Sequence, residues 1–226
     1  ENNMKTKLNL CVLALAGFTA AASANISVNV GAITVAPNDS SSSLNVVEKV
    51  AGLPTGSTAV SVDNNTQLGL TIDYKIDKNW TAELIAATPF SHDIAVKGSA
   101  IDGLAIGNTK HLPPTLVAQY HFDMGNSNFD PFVGVGLNYT KFFDESASGA
   151  LKTTLQALKV TTATDDVDLK LKASWGLALQ AGFNYKLSDT WGLHFVATKM
   201  DIDTTGEVRV NNNVIQSVDV QIDPWV

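Results

Sequence analysis

Apolar and polar positions alternate along several stretches of the chain, and each alternation predicts a β-strand. Between residues 112 and 122 every second side chain is apolar or aromatic, and the positions between them are mostly small or polar. The same period returns between residues 131 and 143, after a short polar break. Two long strands joined by a short polar segment indicate an antiparallel hairpin. Each strand has about the length that a tilted strand needs to cross a bilayer.

Further alternating stretches bring the number of predicted strands to eight. They cover residues 25–36, 67–76, 80–90, 110–122, 131–143, 170–187, 191–203 and 214–226. Long polar loops are predicted at 38–65, 91–109, 144–168 and 204–213, and the other connections are short. The spacing of Leu151, Leu155 and Leu158 allows a short helix in the third long loop.

Long and short connections therefore alternate, as they do in outer-membrane barrels, where periplasmic turns are short and external loops are longer. Aromatic residues near the predicted strand ends are typical of the two membrane interfaces. An even number of strands lets the sheet close without an edge, which lipid does not tolerate. The prediction is an all-β fold, an eight-stranded antiparallel up-and-down transmembrane β-barrel in the outer membrane of a Gram-negative bacterium.

The N-terminal segment has the pattern of a secretory signal peptide. Met4 is followed by Lys5 and Lys7, by an apolar stretch from Leu8 to Ala21, and by small residues at 22–24. Such a segment directs export and is removed from the mature protein. We expect residues 1–24 to be this targeting segment with a short upstream extension, and residues 25–226 to form the barrel.

Composition narrows the possible functions further. The net charge of −7 comes without clustered Lys and Arg, which argues against nucleic-acid binding. No hydrolase, zinc-protease or dinucleotide motif is present, so neither an enzyme nor a cofactor is predicted. His92, His111, His121 and His194 lack the spacing of metal ligands, and no metal site is predicted. The oligomeric state stays open.

Several stretches resemble the OmpW family of small outer-membrane proteins. They are NNTQLGLTIDY, AELIAATPF, KHLPPTLVAQYHF, PFVGVGLNYTKFF, and MDIDTT followed by DPWV. The resemblance implies an eight-stranded barrel with a hydrophobic passage for small apolar molecules. In the family the strand containing DPWV continues to a terminal aromatic residue, whereas this sequence stops at Val226. The last strand is therefore expected to be truncated, with only partial closure against the first.

The alternation also predicts which side chains face the lumen. Near the short turns the predicted set is polar and forms a plug, in which the acids pair with the lysines: Asp73, Lys75, Glu83, Gln119, His121, Asn184, Lys186 and His194. Near the long loops the predicted ligand-binding set is mostly apolar: Ile85, Ala87, Val117, Val196, Thr198 and Phe142. An eight-stranded barrel holds its own side chains or one small ligand. The alternative is that these residues only fill the core.

Three prolines lie at one height of adjacent predicted strands. Pro89 ends the third strand and faces Pro113 and Pro114 at the start of the fourth. Proline cannot donate a ladder hydrogen bond. This part of the barrel wall is therefore predicted to be a lateral seam, a place where neighbouring strands are not joined by backbone hydrogen bonds. The alternative is that the prolines only blunt the strand ends beside a loop.

The family resemblance implies that apolar solutes enter from outside and leave sideways through such a seam. It also places Ile85 at a constriction of the passage, and Thr198 where a large aromatic side chain is expected. The expected surroundings are outer-membrane lipid and lipopolysaccharide. The alternative function is a structural, receptor or adhesion barrel that acts through its long external loops and transports nothing.

Overall fold

The computed structural model describes residues 17–21, 25–125 and 128–226. Its elements are β1 (Gly17–Ala21), β2 (Ile26–Val35), β3 (Ser40–Ser41), α1 (Asn45–Ala51), β4 (Ala59–Val62), β5 (Asn65–Lys75), β6 (Trp80–Ala87), β7 (Phe90–Lys97), β8 (Ala105–Leu112), β9 (Thr115–His121), β10 (Phe129–Ala147), α2 (Gly149–Ala157), β11 (Val167–Leu171), β12 (Ser174–Lys186), β13 (Trp191–Met200), β14 (Asp203–Val210) and β15 (Asn213–Gln221). Within these residues no helix combines the length and the apolar character that a membrane crossing requires.

Eight strands pair in turn and return to the first of them. The order is β12, β13, β1, β2, β5, β6, β9 and β10, and β10 pairs again with β12. All these pairings are antiparallel, and seven of the eight strands correspond to predicted strands. The eighth, β1, lies in the segment predicted to be a signal peptide and takes the place expected for the last predicted strand. The turn before β6 is held by Asp77 Oδ1, which accepts hydrogen bonds from the backbone N–H groups of Asn79 and Trp80, both at 2.8 Å. An aspartate at this position of a turn stabilises the reversal of the chain.

A belt of apolar side chains covers the outside of these strands. Five leucines of the belt are more than half exposed: Leu68, Leu116, Leu137, Leu177 and Leu179. Aromatic pairs lie at its two borders, with Trp80 and Tyr120 5.2 Å apart beside the short turns and Tyr139 and Trp175 4.6 Å apart at the other end. Apolar surface of this extent is stable when it faces lipid chains.

Beyond the belt the predicted long loops contain strands as well as helices, whereas a short helix was the most regular structure expected in any of them. β7 and β8 form a hairpin within 91–109, and β14 occupies most of the predicted loop 204–213. The predicted short helix is confirmed as α2, which buries Leu151 and Leu155. Strand β10 runs from the barrel into the region beyond the belt. Its first residues pair with the barrel strands β9 and β12, and its last residues pair with β8. Together these elements form a body with its own hydrophobic core, which is called the extracellular body because the predicted external loops form it.

The last predicted strand needs a second correction. Residues 213–221 form β15, which pairs with β14 and β3 instead of a barrel strand. Only the chain end returns to the barrel, where Trp225 bridges Ala36 and Lys199, and Val226 exchanges backbone hydrogen bonds with Thr198. Nearer the short turns β1 lies between β13 and β2 and completes the ring. Apart from residues 17–21, the predicted targeting segment lies outside the described residues, and its removal stays a prediction.

Candidate functional site

Most of the predicted polar lumen residues lie inside the barrel near the short turns. Those that are buried or half-buried are Asp73, Glu83, Gln119, His121, Asn184 and His194. Gln180 connects two of them, because its Nε2 donates to Glu83 Oε1 at 2.6 Å and its Oε1 accepts from Gln119 Nε2 at 2.8 Å. His121 joins the network through Gln119 Oε1 at 3.2 Å. The lower lumen is therefore filled by hydrogen-bonded side chains.

The two predicted lysine partners lie outside this network, which corrects the expected ion pairs. Lys186 pairs with the exposed Asp189 at 2.8 Å, and Lys75 is exposed. Asp73 instead accepts a hydrogen bond from Asn29 Nδ2 at 2.9 Å. Long lysine side chains near the end of a strand extend to water and keep their ammonium groups solvated.

The upper lumen is packed with apolar side chains. Ile85, Val117 and Val196 form a buried cluster with Phe90 and Phe132, and Val117 has no exposed surface. Two further members of the predicted ligand-binding set, Ala87 and Thr198, are half-buried and buried respectively. The interior at this height is filled, so none of these five predicted residues lines an open passage.

A cavity of about 80 Å³ lies further out, inside the extracellular body. Its surface is almost wholly apolar and is contributed by α1, α2, β4, β7, β8 and the outer parts of β10, β14 and β15. Among its lining residues are Val47, Val60, Ile94, Ile106, Phe142 and Leu155. Of the six residues predicted to bind a ligand, Phe142 alone lines this cavity. Apolar cavities of this kind stay dry and accept apolar ligands.

Two buried histidines form part of the cavity wall. His92 Nδ1 lies 2.6 Å from the carbonyl oxygen of Asp63, which can only accept, so Nδ1 carries the proton and donates it. The Nε2 atoms of His92 and His111 are 2.9 Å apart, and their rings stack at 4.8 Å. Burial lowers the pKa of His92, and burial together with the nearby His92 lowers the pKa of His111 to about 3. Both rings are therefore neutral at physiological pH, and the wall carries no charge.

Strand pairing is interrupted at the three prolines of the predicted seam. The ladder between β6 and β9 ends at Ile85 and Thr115, and the ladder between β7 and β8 begins at Phe90 and His111. Among the described residues no ladder pair joins 86–89 to 112–114, the stretches that contain Pro89, Pro113 and Pro114.

On the far side of the seam, backbone bonding is intact. Tyr139 N–H donates to the Pro114 carbonyl at 3.1 Å, and Asn138 Nδ2 donates to the Pro113 carbonyl at 3.3 Å. The seam therefore lies on one side only, between the β6–β7 connection and the β8–β9 connection.

The sequence pattern did not predict most of the cavity. The stretches that line it contain several glycines and polar residues, which are typical of loops. A signal was nevertheless present in 90–97, where Phe90, His92, Ile94 and Val96 alternate with small or charged residues. In the structure these four side chains are buried on one face of β7.

The comparison with known proteins decides the family. The family model of OmpW matches residues 22–226. The chain belongs to the OmpW family. Outer membrane protein W of Vibrio cholerae is 44% identical over 201 residues, which are 88% of this chain and 83% of that protein. Outer membrane protein W of Escherichia coli is 41% identical over 166 residues, 74% of this chain and 71% of that protein.

Solved structures agree with the OmpW assignment. The crystal structure of the outer membrane protein OprG from Pseudomonas aeruginosa is 37% identical, with a TM-score of 0.73 over 93% of this chain and 92% of that chain. The outer membrane protein AlkL, solved in lipid bilayers, is 20% identical with a TM-score of 0.56, over 94% of this chain and 88% of that chain, and supports the fold alone. The predicted barrel class and the location in the bacterial outer membrane are confirmed.

Proposed function

We propose that this OmpW-family protein binds small apolar molecules in its extracellular cavity and releases them sideways into the outer membrane. The observation that carries the proposal is the position of the cavity. It is an apolar space on the outer side of a barrel whose lumen is filled with side chains. A water-filled pore for polar solutes does not fit an eight-stranded barrel with this interior.

The filled lumen argues for a lateral route. Below the cavity lies the apolar cluster around Ile85 and Val117, and the hydrogen-bonded network of Glu83, Gln180 and Gln119 fills the lumen nearer the short turns. A solute moving along the barrel axis would have to displace both layers. The seam opens the wall at the height of Phe90, between the cavity and the apolar cluster. A solute that leaves there meets lipid, which is the most favourable surrounding for an apolar molecule.

The affinity expected for an apolar solute is low enough for the solute to leave the cavity again. Burial contributes about 0.8 kcal/mol per CH₂ group. A fully buried chain of eight carbons gains about 6 kcal/mol, and the several kcal/mol lost on association leave dissociation constants of about 1 mM or weaker. Binding of this strength concentrates a solute and still lets it leave. The neutral state of His92 and His111 keeps the cavity wall free of charge that would repel such a solute.

The seam provides the test. We expect the double variant Pro113→Val and Pro114→Val to regain two backbone donors, of which that of residue 113 faces the residues 86–89 and that of residue 114 faces Tyr139 on β10, because successive N–H groups of a strand point to opposite neighbours. One hydrogen bond across the seam contributes about 1 kcal/mol, so it would lower the open fraction by about fivefold. The measurement is uptake of a labelled n-alkane by cells that express the protein under an intact lipopolysaccharide layer, beside uptake of a disaccharide.

Alkane uptake should rise above that of cells without the protein, and should fall in the double variant while disaccharide uptake stays constant. A variant with Pro54→Val, in the loop that follows α1 and away from the seam, is the matched control. If wild-type protein leaves alkane uptake unchanged, the transport proposal is wrong and a role of the extracellular body as a receptor or adhesion surface is favoured. If the double variant transports as well as wild type, the solute does not pass the seam.

A further inference from the structure

Three ionisable side chains from three different strands converge inside the lower lumen. Asp73 lies on β5, Glu83 on β6 and His194 on β13, and their potential ligand atoms lie within 4.8 Å of one another. Glu83 and His194 have no exposed surface. Glu83 Oε2 and His194 Nε2 are 3.5 Å apart, and neither atom has a hydrogen-bond partner. Buried polar atoms without partners are rare in folded proteins and call for an explanation.

The hydrogen bond at Nδ1 of His194 defines which ring nitrogen carries the hydrogen. Asn184 Nδ2 donates to Asp130 Oδ2 at 3.3 Å, so its Oδ1 faces His194 Nδ1 at 2.7 Å. An amide oxygen accepts only, and His194 Nδ1 therefore carries a hydrogen. In the neutral ring Nε2 then presents a lone pair to the carboxylate oxygen of Glu83. Two acceptors that face each other in a dry interior require a positive charge between them.

A proton and a metal ion are the two candidates for that charge. A charge-assisted N–H···O bond is about 2.7–2.9 Å long, which is shorter than the 3.5 Å observed between Glu83 Oε2 and His194 Nε2. Two ligands that each lie about 2.1 Å from a tetrahedral zinc ion are about 3.4 Å apart. A ligand atom of the third group, Asp73, lies within 4.8 Å of both, so one ion could contact all three side chains. The separation and the number of convergent groups therefore favour a metal ion.

Each of the three side chains also has a hydrogen-bond partner on the side that faces away from the other two. Gln180 Nε2 donates to Glu83 Oε1 at 2.6 Å, Asn29 Nδ2 donates to Asp73 Oδ2 at 2.9 Å, and Asn184 accepts from His194. Outer contacts of this kind orient ligands in metal sites and fix the histidine tautomer. From this geometry we infer that Asp73, Glu83 and His194 bind a divalent transition-metal ion, with zinc as the best match to one imidazole and two carboxylates.

The site lies near the short-turn end of the barrel, where a bound ion would have a structural effect. A cleft of about 270 Å³ at this end is lined by Asp73, Asn184 and Lys186, so one of the three ligands borders it. Because the ligands come from β5, β6 and β13, a bound ion ties strands across the lumen and braces the barrel from inside. Alternation along the strands predicts that Asp73, Glu83 and His194 all face the lower lumen, but it does not predict that their ligand atoms converge. The site is independent of the apolar passage proposed above.

Equilibrium dialysis of the untagged, refolded full chain against Zn²⁺, followed by elemental analysis, tests the inference. We expect about one zinc ion per chain, a rise in thermal unfolding temperature on its addition, and the absorption bands of tetrahedral cobalt when Co²⁺ is used instead. Glu83→Gln keeps the size and the contact with Gln180 but removes a charged ligand. It should weaken binding by more than the 10–100-fold that loss of an outer contact costs.

Two further variants complete the experiment. Asn184→Leu removes only an outer contact and should weaken zinc binding by about 10–100-fold. His121→Gln changes the other lumen histidine, which contacts Asp130 and Gln119 and is not one of the three ligands, so its affinity should equal that of wild type. Absence of stoichiometric zinc in folded wild-type protein would overturn the inference and leave a shared proton between Glu83 and His194. Equal binding by wild type and Glu83→Gln would overturn it as well.

Discussion

Ile94→Asp is expected to abolish binding of apolar molecules to this protein. Ile94 is 6% exposed, lies on β7 and lines the extracellular cavity. A carboxylate at this position has no cationic partner among the residues that line the cavity. A ligand that covers an unpaired charge loses about 3 kcal/mol or more, which is at least about a 100-fold loss of affinity. The measurement is a titration of the refolded protein with a fluorescent apolar probe.

The neighbouring residue supplies a matched control. Ala95 lies on the same strand but on its other face and is half-buried. Ala95→Asp adds the same charge to the same element, and we expect the affinity for the probe to stay near that of wild type. Circular dichroism of both variants checks that the extracellular body remains folded. If Ile94→Asp binds the probe as tightly as Ala95→Asp does, the cavity is not where the ligand binds.

Gly136→Val is expected to prevent formation of the barrel. A β-carbon at Gly136 would lie 2.3 Å from the carbonyl oxygen of Leu116 and 2.9 Å from the α-carbon of Val117. Both atoms belong to the backbone of β9, which pairs with β10 at this position, and neither can move without breaking the ladder. Overpacking against side chains alone costs about 1–3 kcal/mol, and a clash with backbone costs more. The readout is the folded fraction after refolding into detergent, followed by circular dichroism.

Gly149→Val is the control for this prediction, because no atom lies within 4 Å of the β-carbon that it adds at the start of α2. It should refold with the yield of wild type. A Gly136→Val chain that refolds equally well would show that β9 and β10 do not pack as closely as described. The absence of a side chain at Gly136 leaves room for Val117, whose side chain is buried in the lumen.

The barrel strands were predictable because alternation is a local signal. Tyr120 and Val135 face lipid and Gln119 and Gly134 face the lumen wherever the neighbouring strands lie. The turn at Asp77 was predictable for the same reason, because its hydrogen bonds reach only two and three residues along the chain.

Contacts between distant segments were not predictable in this way. Alternation gives the face of a side chain but not its partner, so Lys186 was assigned to the lumen acids although Asp189 is the nearer partner in space. The pairing of β15 with β14, instead of with the first barrel strand, depends on a hairpin whose turn lies within the predicted loop 204–213. The cavity is formed by segments that were expected to be irregular. Alternation placed Asp73, Glu83 and His194 in the lower lumen, but their convergence depends on how the sheet brings β5, β6 and β13 together and was not predictable from alternation.

The most direct test of the proposed apolar site is to locate a bound apolar molecule. Crystals of the refolded protein would be grown with bromodecane, whose bromine is identified by its anomalous scattering. The account predicts a bromine peak inside the extracellular body, within contact distance of Ile94, Phe142 or Leu155. Bromine found only along the outer belt beside Leu116 and Leu137, with none in the cavity, would contradict it.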